Sequence, residues 1–579
     1  MIEHEFKRRS YKMNSHLISY FDELREQIID KGKWDKDRFH VFNYEAGSGK
    51  SKNTFRFLAE MSHEHPYRVL YVQRFIKNNE IINTVETINK LAGKQVADYF
   101  ASNDTRSNVR KRRATEAQIL CISHNMHVRI CRGTHPELIE GRDILIIDEY
   151  IDLVERISLS TRDIGVMWVS GYKYSKLLRE LAENIMESIQ GYPSTKMNEM
   201  IFIDFKDSKY VEYKKKLPDI ARSMGEKDIQ KVINKALQIL SNGCFYYENG
   251  FHTCDLQNDF VMLHSNIILD ANAGFDYKYN LSKKFLVRKQ PSFFDYSNTK
   301  LLHIEVKTGK KQLKKYINLT EKVIETIRLE QKEKSLIITD KENQKNVEER
   351  ISDYLSIIGY SNEEIDEIMV NKIRVDYFGN LTGINTYRDF NTVVVLKTPY
   401  FDYLSYVLTY FYYCTKEGKE IGNIKAFLNE EVEKIRKTTV AGEMYQAIKR
   451  INRDNTQEAE IYVATTDQDA IDLIIKQLPN VHYSKSKLVV NQRKKEESKS
   501  VSVFEKRVND LKAFLLTQKE KGVPSIRKKE LKSHIGIKDS GNFSKYLNVI
   551  QPFLEVHGFL SQGQQILLSE SDVNEDISA

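Results

Sequence analysis

The sequence predicts an α/β protein that carries two parallel sheets in tandem, and three observations predict it. Short apolar runs rich in Val, Ile and Leu recur between helical stretches, over residues 39–147 and again from Leu301 onward, the pattern of βαβ units. A glycine-rich turn follows the first run and an acidic pair ends the fourth, at the sheet edge where parallel folds bind ligands. The length of 579 residues, with 41% apolar and 29% charged, leaves room for several domains. Runs such as Ile144-Leu-Ile-Ile147 fall far short of the roughly 18 apolar residues a membrane span needs. The charged start, Met1-Ile-Glu-His-Glu-Phe-Lys-Arg-Arg9, lacks the apolar core of a signal peptide. Five widely spaced cysteines make no disulfide framework and fit a reducing cytoplasm.

The elements follow in order. Residues 1–38 form a polar, partly helical lead-in, and the first domain covers 39–280. Its strands are Phe39–Tyr44, Val69–Val72, Ile119–Ile122 and Ile144–Ile147, resumed by Val261–Leu263 and Ile267–Leu269. Between the last two groups the pattern turns polar and helical, with a hairpin signal at Glu248-Asn249-Gly250. Residues 156–262 are therefore expected to be a helical insertion that touches substrate or partner. The second domain, 281–484, takes its strands from Ser335–Thr339, Val393–Leu396 and Ile461–Ala464. A basic linker (485–502), a compact unit (503–570) and an acidic tail (571–579) complete the chain.

The first chemical signal is Glu45-Ala-Gly47-Ser48-Gly49-Lys50-Ser51, between a strand and a helix. Glycines there let backbone N–H groups wrap phosphates at a helix N-terminus. Lys50 reaches the β and γ phosphates and Ser51 offers its hydroxyl to Mg²⁺. Tyr44 stands where the full pattern has its first glycine, so this is the variant loop. The second signal is Asp148-Glu149 at the end of a fully apolar strand. Asp148 is placed to hold Mg²⁺ and Glu149 to polarise the attacking water. The third is Gln446-Ala-Ile-Lys-Arg450-Ile-Asn-Arg453, three groups on one helical face whose guanidinium charges suit a transferring phosphoryl group.

In this order along the chain, these residues resemble a superfamily 2 helicase of the DEAD/DEAH-like kind, possessing two RecA-like domains and of phage or mobile-element type. Gly47, Ser48, Gly49, Lys50 and Ser51 match its motif I, and Asp148-Glu149 the first half of motif II, with Tyr150 and Ile151 departing from both DEAD and DEAH. Asp270-Ala-Asn272 resembles motif III, Gly379–Asn385 with Gly383 resembles motif V, and Gln446, Arg450 and Arg453 match motif VI. The resemblance implies ATP and Mg²⁺ as cofactors, with the two arginines as fingers from the second domain. It also implies nucleic-acid contacts at strand ends: Arg74 after the second strand, Ser123 and His124 after the third, Thr339 and Lys341 in the second domain. Strand-end hydroxyls and cations commonly meet phosphates.

Two signals are set aside. Cys121, His124, His127 and Cys131 straddle a strand-to-helix transition that does not point four ligands at one zinc ion. The aromatic run from Tyr400 to Tyr413 reads as a helix packed on the second domain rather than a base-stacking surface.

Between Lys485 and Lys545 stand 17 Lys/Arg against 7 Asp/Glu, whereas Glu555 to the end holds five acids and no Lys or Arg. A basic segment of that density suits a polyanion. The unit beyond it reads as a helix from Val503, a second helix over Ile526–His534 capped by Ser525, a third over Asn542–Val556 interrupted by Pro552, and a hairpin about Gln562-Gly563-Gln564. That is a winged helix, with Asn542 and Lys545 on its recognition helix. The expectation is an ATP-dependent helicase or translocase on nucleic acid, DNA in preference to RNA, in replication, recombination or repair, with a replication or recombination protein as partner and no membrane. The alternatives are a double-stranded-DNA translocase that leaves strands paired, or an ATP-switched DNA-binding initiator or regulator.

Overall fold

The computed structural model describes residues 15–74, 79–101, 107–190, 198–290, 292–313, 315–316, 318–381, 386–453, 455–491, 503–537 and 540–568. Gly383, most of the basic linker and the acidic tail lie outside the described residues. The chain divides into two compact units, Met1–Val490 and Asn491–Ala579. No helix among the described residues is long and apolar enough to cross a membrane.

The helix Ser15–Ile29 leads into β1 (Phe39–Phe42), β2 (Val69–Gln73), β3 (Ala97–Tyr99), β4 (Ile119–Ser123) and β5 (Ile144–Asp148). Next come β6 (Arg156–Ser160), β7 (Glu199–Ile203), β8 (Cys244–Tyr247) and β9 (Gly250–Cys254), before β10 (Ser265–Leu269) and β11 (Phe285–Arg288). Strands β1–β5, β10 and β11 form a seven-stranded sheet of order β11-β1-β10-β5-β2-β4-β3. Every pairing in it is parallel. Its inner strands are buried along their whole length except at Asp148, the last residue of β5, as β-branched runs without alternation require when helices cover both faces. Register aligns Phe42 with Leu269 and Leu269 with Asp148, so three neighbouring strands end together at one edge.

The second half supplies β12 (Thr299–Glu305), β13 (Ser335–Thr339), β14 (Ile373–Tyr377), β15 (Thr392–Val395), β16 (Ile424–Lys425), β17 (Ala459–Thr465) and β18 (His482–Lys487). All but β16 build a second parallel sheet of order β14-β13-β15-β17-β12-β18. The unit is thus two RecA-like α/β layers in tandem.

Four expectations about the layout of the first compact unit need correction. The segment 156–262 holds four helices but also β6–β9, an antiparallel sheet of its own that β16 joins from the second domain (order β16-β7-β8-β9-β6). Its hairpin is where the sequence puts it, with Glu248 and Asn249 at φ 47° and 60°, both left-handed as the two-residue turn demands. The first domain does not stop at 280, because β11 pairs with β1. The second runs past 484, because β18 continues to Lys487 beside β12. That strand is exposed throughout, and its lysines guard a sheet edge while giving the sequence the look of a linker. Finally, the aromatic helix Tyr403–Lys416 is not packed on the second domain alone. Leu404, Val407, Phe411 and Tyr412 share a core with Val41, Ile122 and Ile147 of the first sheet.

The C-terminal unit runs helix Val503–Glu520, strand β19 (Ser525–Arg527), helices Lys528–His534 and Ser540–Val556, then the hairpin β20 (Leu560–Gln562) and β21 (Gln565–Leu567). The strands take the order β19-β21-β20, and the helices close on them around a core of Leu511, Leu515, Ile526, Leu531, Phe543 and Ile566. Ser525 therefore belongs to a strand rather than a helix cap, since Ile526 pairs with Ile566. Pro552 lies within an unbroken helix.

Candidate nucleotide cleft

The strand ends at the edge of the first sheet determine the site. After β1 the chain turns through Gly47 and Gly49, both left-handed (φ 95° and 91°), into the helix Lys50–Glu64. Only glycine takes these turns without strain. At Gly47 a Cβ would also lie 2.2 Å from the Arg453 carbonyl oxygen, so the loop and the second domain meet backbone to backbone. Glu45 fixes the loop from behind: its carboxylate accepts the Phe293 and Phe294 amides (2.9 and 3.1 Å) and the Tyr296 hydroxyl. These three belong to the segment that crosses between the sheets.

Lys50 Nζ donates to the Leu269 carbonyl (3.2 Å) and lies 3.3 Å from Asp148 Oδ1. Burial alone would discharge this ammonium, but Asp148, Glu149 and Asp270 hold its pKa above the ordinary lysine value. Asp148 Oδ2 accepts from Ser51 Oγ (2.8 Å) and the Tyr71 hydroxyl (3.0 Å). Glu149 sits at a left-handed φ of 73°, its amide donating to the Leu269 carbonyl (3.0 Å). Burial would raise its carboxyl, yet Lys50, Arg74 and Arg450 hold it below the usual range. Asp270, at the end of β10, accepts from the Tyr279 hydroxyl (2.6 Å).

From the second domain, the helix Glu430–Ile448 and the residues after it bring Gln446, Lys449, Arg450 and Arg453 to the same place. Together with Gly47, Gly49, Lys50, Ser51, Glu149 and Asp270 they line a cavity of about 280 Å³. Burial pushes Arg450 down to about 10 and lowers Arg453, with Arg453 adding to the effect on Arg450 and Arg388 to that on Arg453. Arg450 Nε and Ser48 Oγ are buried with no hydrogen-bond partner among the described residues.

Sequence reasoning missed three cations of this cleft, Lys52, Arg388 and Lys449. Arg388, in the turn after residue 385, gives no periodic or motif signal. Lys449 does, since it directly precedes Arg450. Its ammonium donates to the Tyr296 hydroxyl (2.6 Å), and burial lowers it to about 8. Tyr150, which breaks the expected motif, has a structural use: its hydroxyl meets that of Tyr413 on the aromatic helix at 2.6 Å.

The expected nucleic-acid contacts separate. Ser123 is buried and caps the helix His124–Cys131 by accepting the Met126 amide (3.2 Å). His124 donates to the Asp148 carbonyl (2.9 Å), and burial lowers its pKa to about 4, so its neutral ring attracts no phosphate by charge. Thr339 is 2% exposed. Ser123 and Thr339 are thus buried at strand ends, whereas His124 is half-buried and lines a cavity together with Arg74. Arg74 is half-exposed and ion-paired with Glu149, while Lys341 is exposed. Asn542 and Lys545 lie on the helix Ser540–Val556, Lys545 exposed. Among the described residues no group of three or more His, Cys, Asp or Glu could hold a metal ion.

No protein-family model matches the sequence, and no curated protein matches it. Among solved structures, S. tokodaii Xpd4 is similar at 12% identity and a TM-score of 0.48, over 81% of this chain and 100% of the other. The DUF1998 helicase MrfA bound to DNA and AMPPNP is similar at 11% and 0.39, over 100% and 62%. S. cerevisiae Dbp5 bound to RNA and ADP BeF3 is similar at 9% and 0.36, over 83% and 95%.

Proposed function

We propose that the chain is an ATP-hydrolysing helicase or translocase of the superfamily 2 kind, acting on nucleic acid, DNA in preference to RNA. One observation carries the reading: the phosphate loop and Glu149 from one parallel sheet, with a glutamine and basic side chains from a second, line one cavity of about 280 Å³. A cleft with walls on two domains converts nucleotide state into relative domain movement, which single-domain switches lack.

Backbone N–H groups of residues 47–51 and the Lys50 ammonium bind the phosphates. Glu149 orients the attacking water and accepts its proton. Arg450 and Arg453, joined by Arg388 and Lys449, counter the charge that spreads over the γ-phosphoryl oxygens. Mg²⁺ fits the donor set: Asp148 Oδ1 is buried without a hydrogen bond, and the other carboxylate oxygen already shares the Ser51 hydroxyl, oxygen ligands of the kind this ion prefers. Ser51 and Asp148 would hold it, and it would neutralise phosphate charge.

The winged helix supports DNA as substrate, because the most basic stretch of the chain leads into the helix that carries Asn542 and Lys545. It also supports a second reading, an ATP-switched DNA-binding regulator. ATPase rates with and without single-stranded DNA, duplex DNA and RNA, followed by strand displacement on a tailed duplex, separate the readings. Stimulated turnover with displacement is expected. Stimulation by duplex without displacement indicates a translocase, and nucleotide-dependent binding without turnover a switch.

A further inference from the structure

Arg74 stands one residue beyond β2, and Glu149 one residue beyond β5. Because Val72 pairs with Ile147, the two side chains emerge next to each other, and Arg74 Nη1 lies 3.2 Å from Glu149 Oε2. The arginine side chain is 38% exposed and the glutamate 23%, so solvent reaches the outer partner of the pair while the inner one faces the nucleotide cleft. Beside that cleft opens a second cavity of about 600 Å³, whose walls include Arg74, Glu149, Glu443 and Gln446. Glu443 comes from the helix Glu430–Ile448 of the second domain, one turn before Gln446, and its carboxyl, raised by burial, feels Arg74 as the leading opposing charge. Arg74 is thus ion-paired to a carboxylate of the first domain and shares a cavity with one of the second.

A carboxylate oxygen that accepts from a guanidinium is held in place and is less basic toward a water proton. A guanidinium matches the oxygens of a phosphodiester as well as those of a carboxylate, and partners are exchanged at low cost in an ion pair that solvent reaches. We propose that Arg74 is a positioning residue that restrains Glu149 until a phosphodiester of bound nucleic acid takes its guanidinium, so that this pair couples strand binding to ATP hydrolysis. The inference rests on the reading of Glu149 as the group that accepts the proton of the attacking water. It assigns Arg74 a second partner besides nucleic acid, and it gives Glu443 the role of an alternative seat when the domains close.

The test is steady-state ATP hydrolysis by the full chain, without nucleic acid and with increasing oligothymidylate, for wild type, Arg74→Ala and Arg74→Lys. Arg74→Ala is expected to raise the nucleic-acid-free kcat roughly fivefold or more, the lower end of common coupling strengths. The KM for ATP is expected to stay close to wild type and the stimulation by oligonucleotide to flatten. Arg74→Lys, which keeps a charge but loses the planar fork, is expected to fall between the two. A merely structural ion pair predicts the reverse, a lower nucleic-acid-free rate in both variants. A stimulated wild type whose Arg74→Ala rate is unchanged or lower overturns the inference alone. A wild type that hydrolyses ATP with no response to any nucleic acid overturns the functional reading, and the inference with it.

Discussion

Lys50 and Glu149 stand in the same cleft and are expected to fail in different ways when replaced. Lys50→Ala removes the ammonium that Asp148, Glu149 and Asp270 keep charged, so nucleotide binding should weaken and turnover vanish. Glu149→Gln leaves that ammonium in place, so ATP should bind and remain unhydrolysed. Nucleotide-binding titrations beside turnover distinguish the two, and wild-type hydrolysis in the glutamine variant would remove Glu149 from the mechanism. Replacing Arg450 or Arg453 with alanine should cut turnover by roughly 10³-fold, as arginine fingers do, measured as kcat at saturating ATP. Lys449 gives a pH dependence. Its ammonium, lowered to about 8 by burial and by Arg453 against the opposing charge of Glu45, is charged below that pH and neutral above. ATP affinity of the nucleotide-free protein should accordingly fall as pH rises through about 8. Lys449→Met should flatten that fall, read by fluorescent-nucleotide titration at several pH values.

At the scale of elements, legibility followed burial. Strands β1, β2, β4, β5, β10, β13, β15 and β17 are continuous apolar runs because both faces of a parallel sheet are covered, and each could be read in the sequence. By contrast β18 and β6 show one or no fully buried residue, so their composition resembled linker and helix. The phosphate loop, acidic pair and arginines were readable because their chemistry demands fixed local spacing. Arg388, Arg74's pairing with Glu149 and the cap made by Ser123 were not, since each depends on which strand lies next to which. The strand β16 was also invisible, as two residues carry no period. It can still be tested. The Ala426 amide donates to the Asn198 carbonyl across the domains, and Ala426→Pro deletes that donor. Hydrogen exchange is expected to quicken in β7 and to stay unchanged in β5 and β10. Unaltered exchange in β7 would mean that β16 contributes nothing to the insertion's stability.

For the whole molecule, charge separates two tasks. The cleft residues Gln446, Arg450 and Arg453 all precede Val490, where the first compact unit ends, and the segment with 17 Lys/Arg against 7 Asp/Glu spans mainly the second unit. Truncation after residue 490 should therefore leave nucleic-acid-free ATPase nearly intact while weakening duplex binding. Binding by the intact chain should drop steeply between low and physiological salt, because each neutralised phosphate releases condensed counterions, and Lys545→Glu should reproduce part of the loss. Fluorescence anisotropy with labelled duplex at several salt concentrations measures both. Equal binding by truncated and intact protein would make the C-terminal unit a docking module for another protein.

The strand lent by the second domain has a consequence for how the chain is made. Asn423, just before β16, accepts the amide of Phe202 in β7 across 221 residues of sequence, and the aromatic helix that closes the first sheet's core lies in the same late stretch. A ribosome moving at about 5–20 residues per second leaves β7 with an open edge, and that core without its cover, for roughly 10–40 s. During this interval the nascent first domain is a strand template and an apolar surface at once, which is the condition under which chains pair with one another. Emerging polypeptide ending near residue 300 should consequently recruit a holding chaperone, and should release it once synthesis passes Glu430.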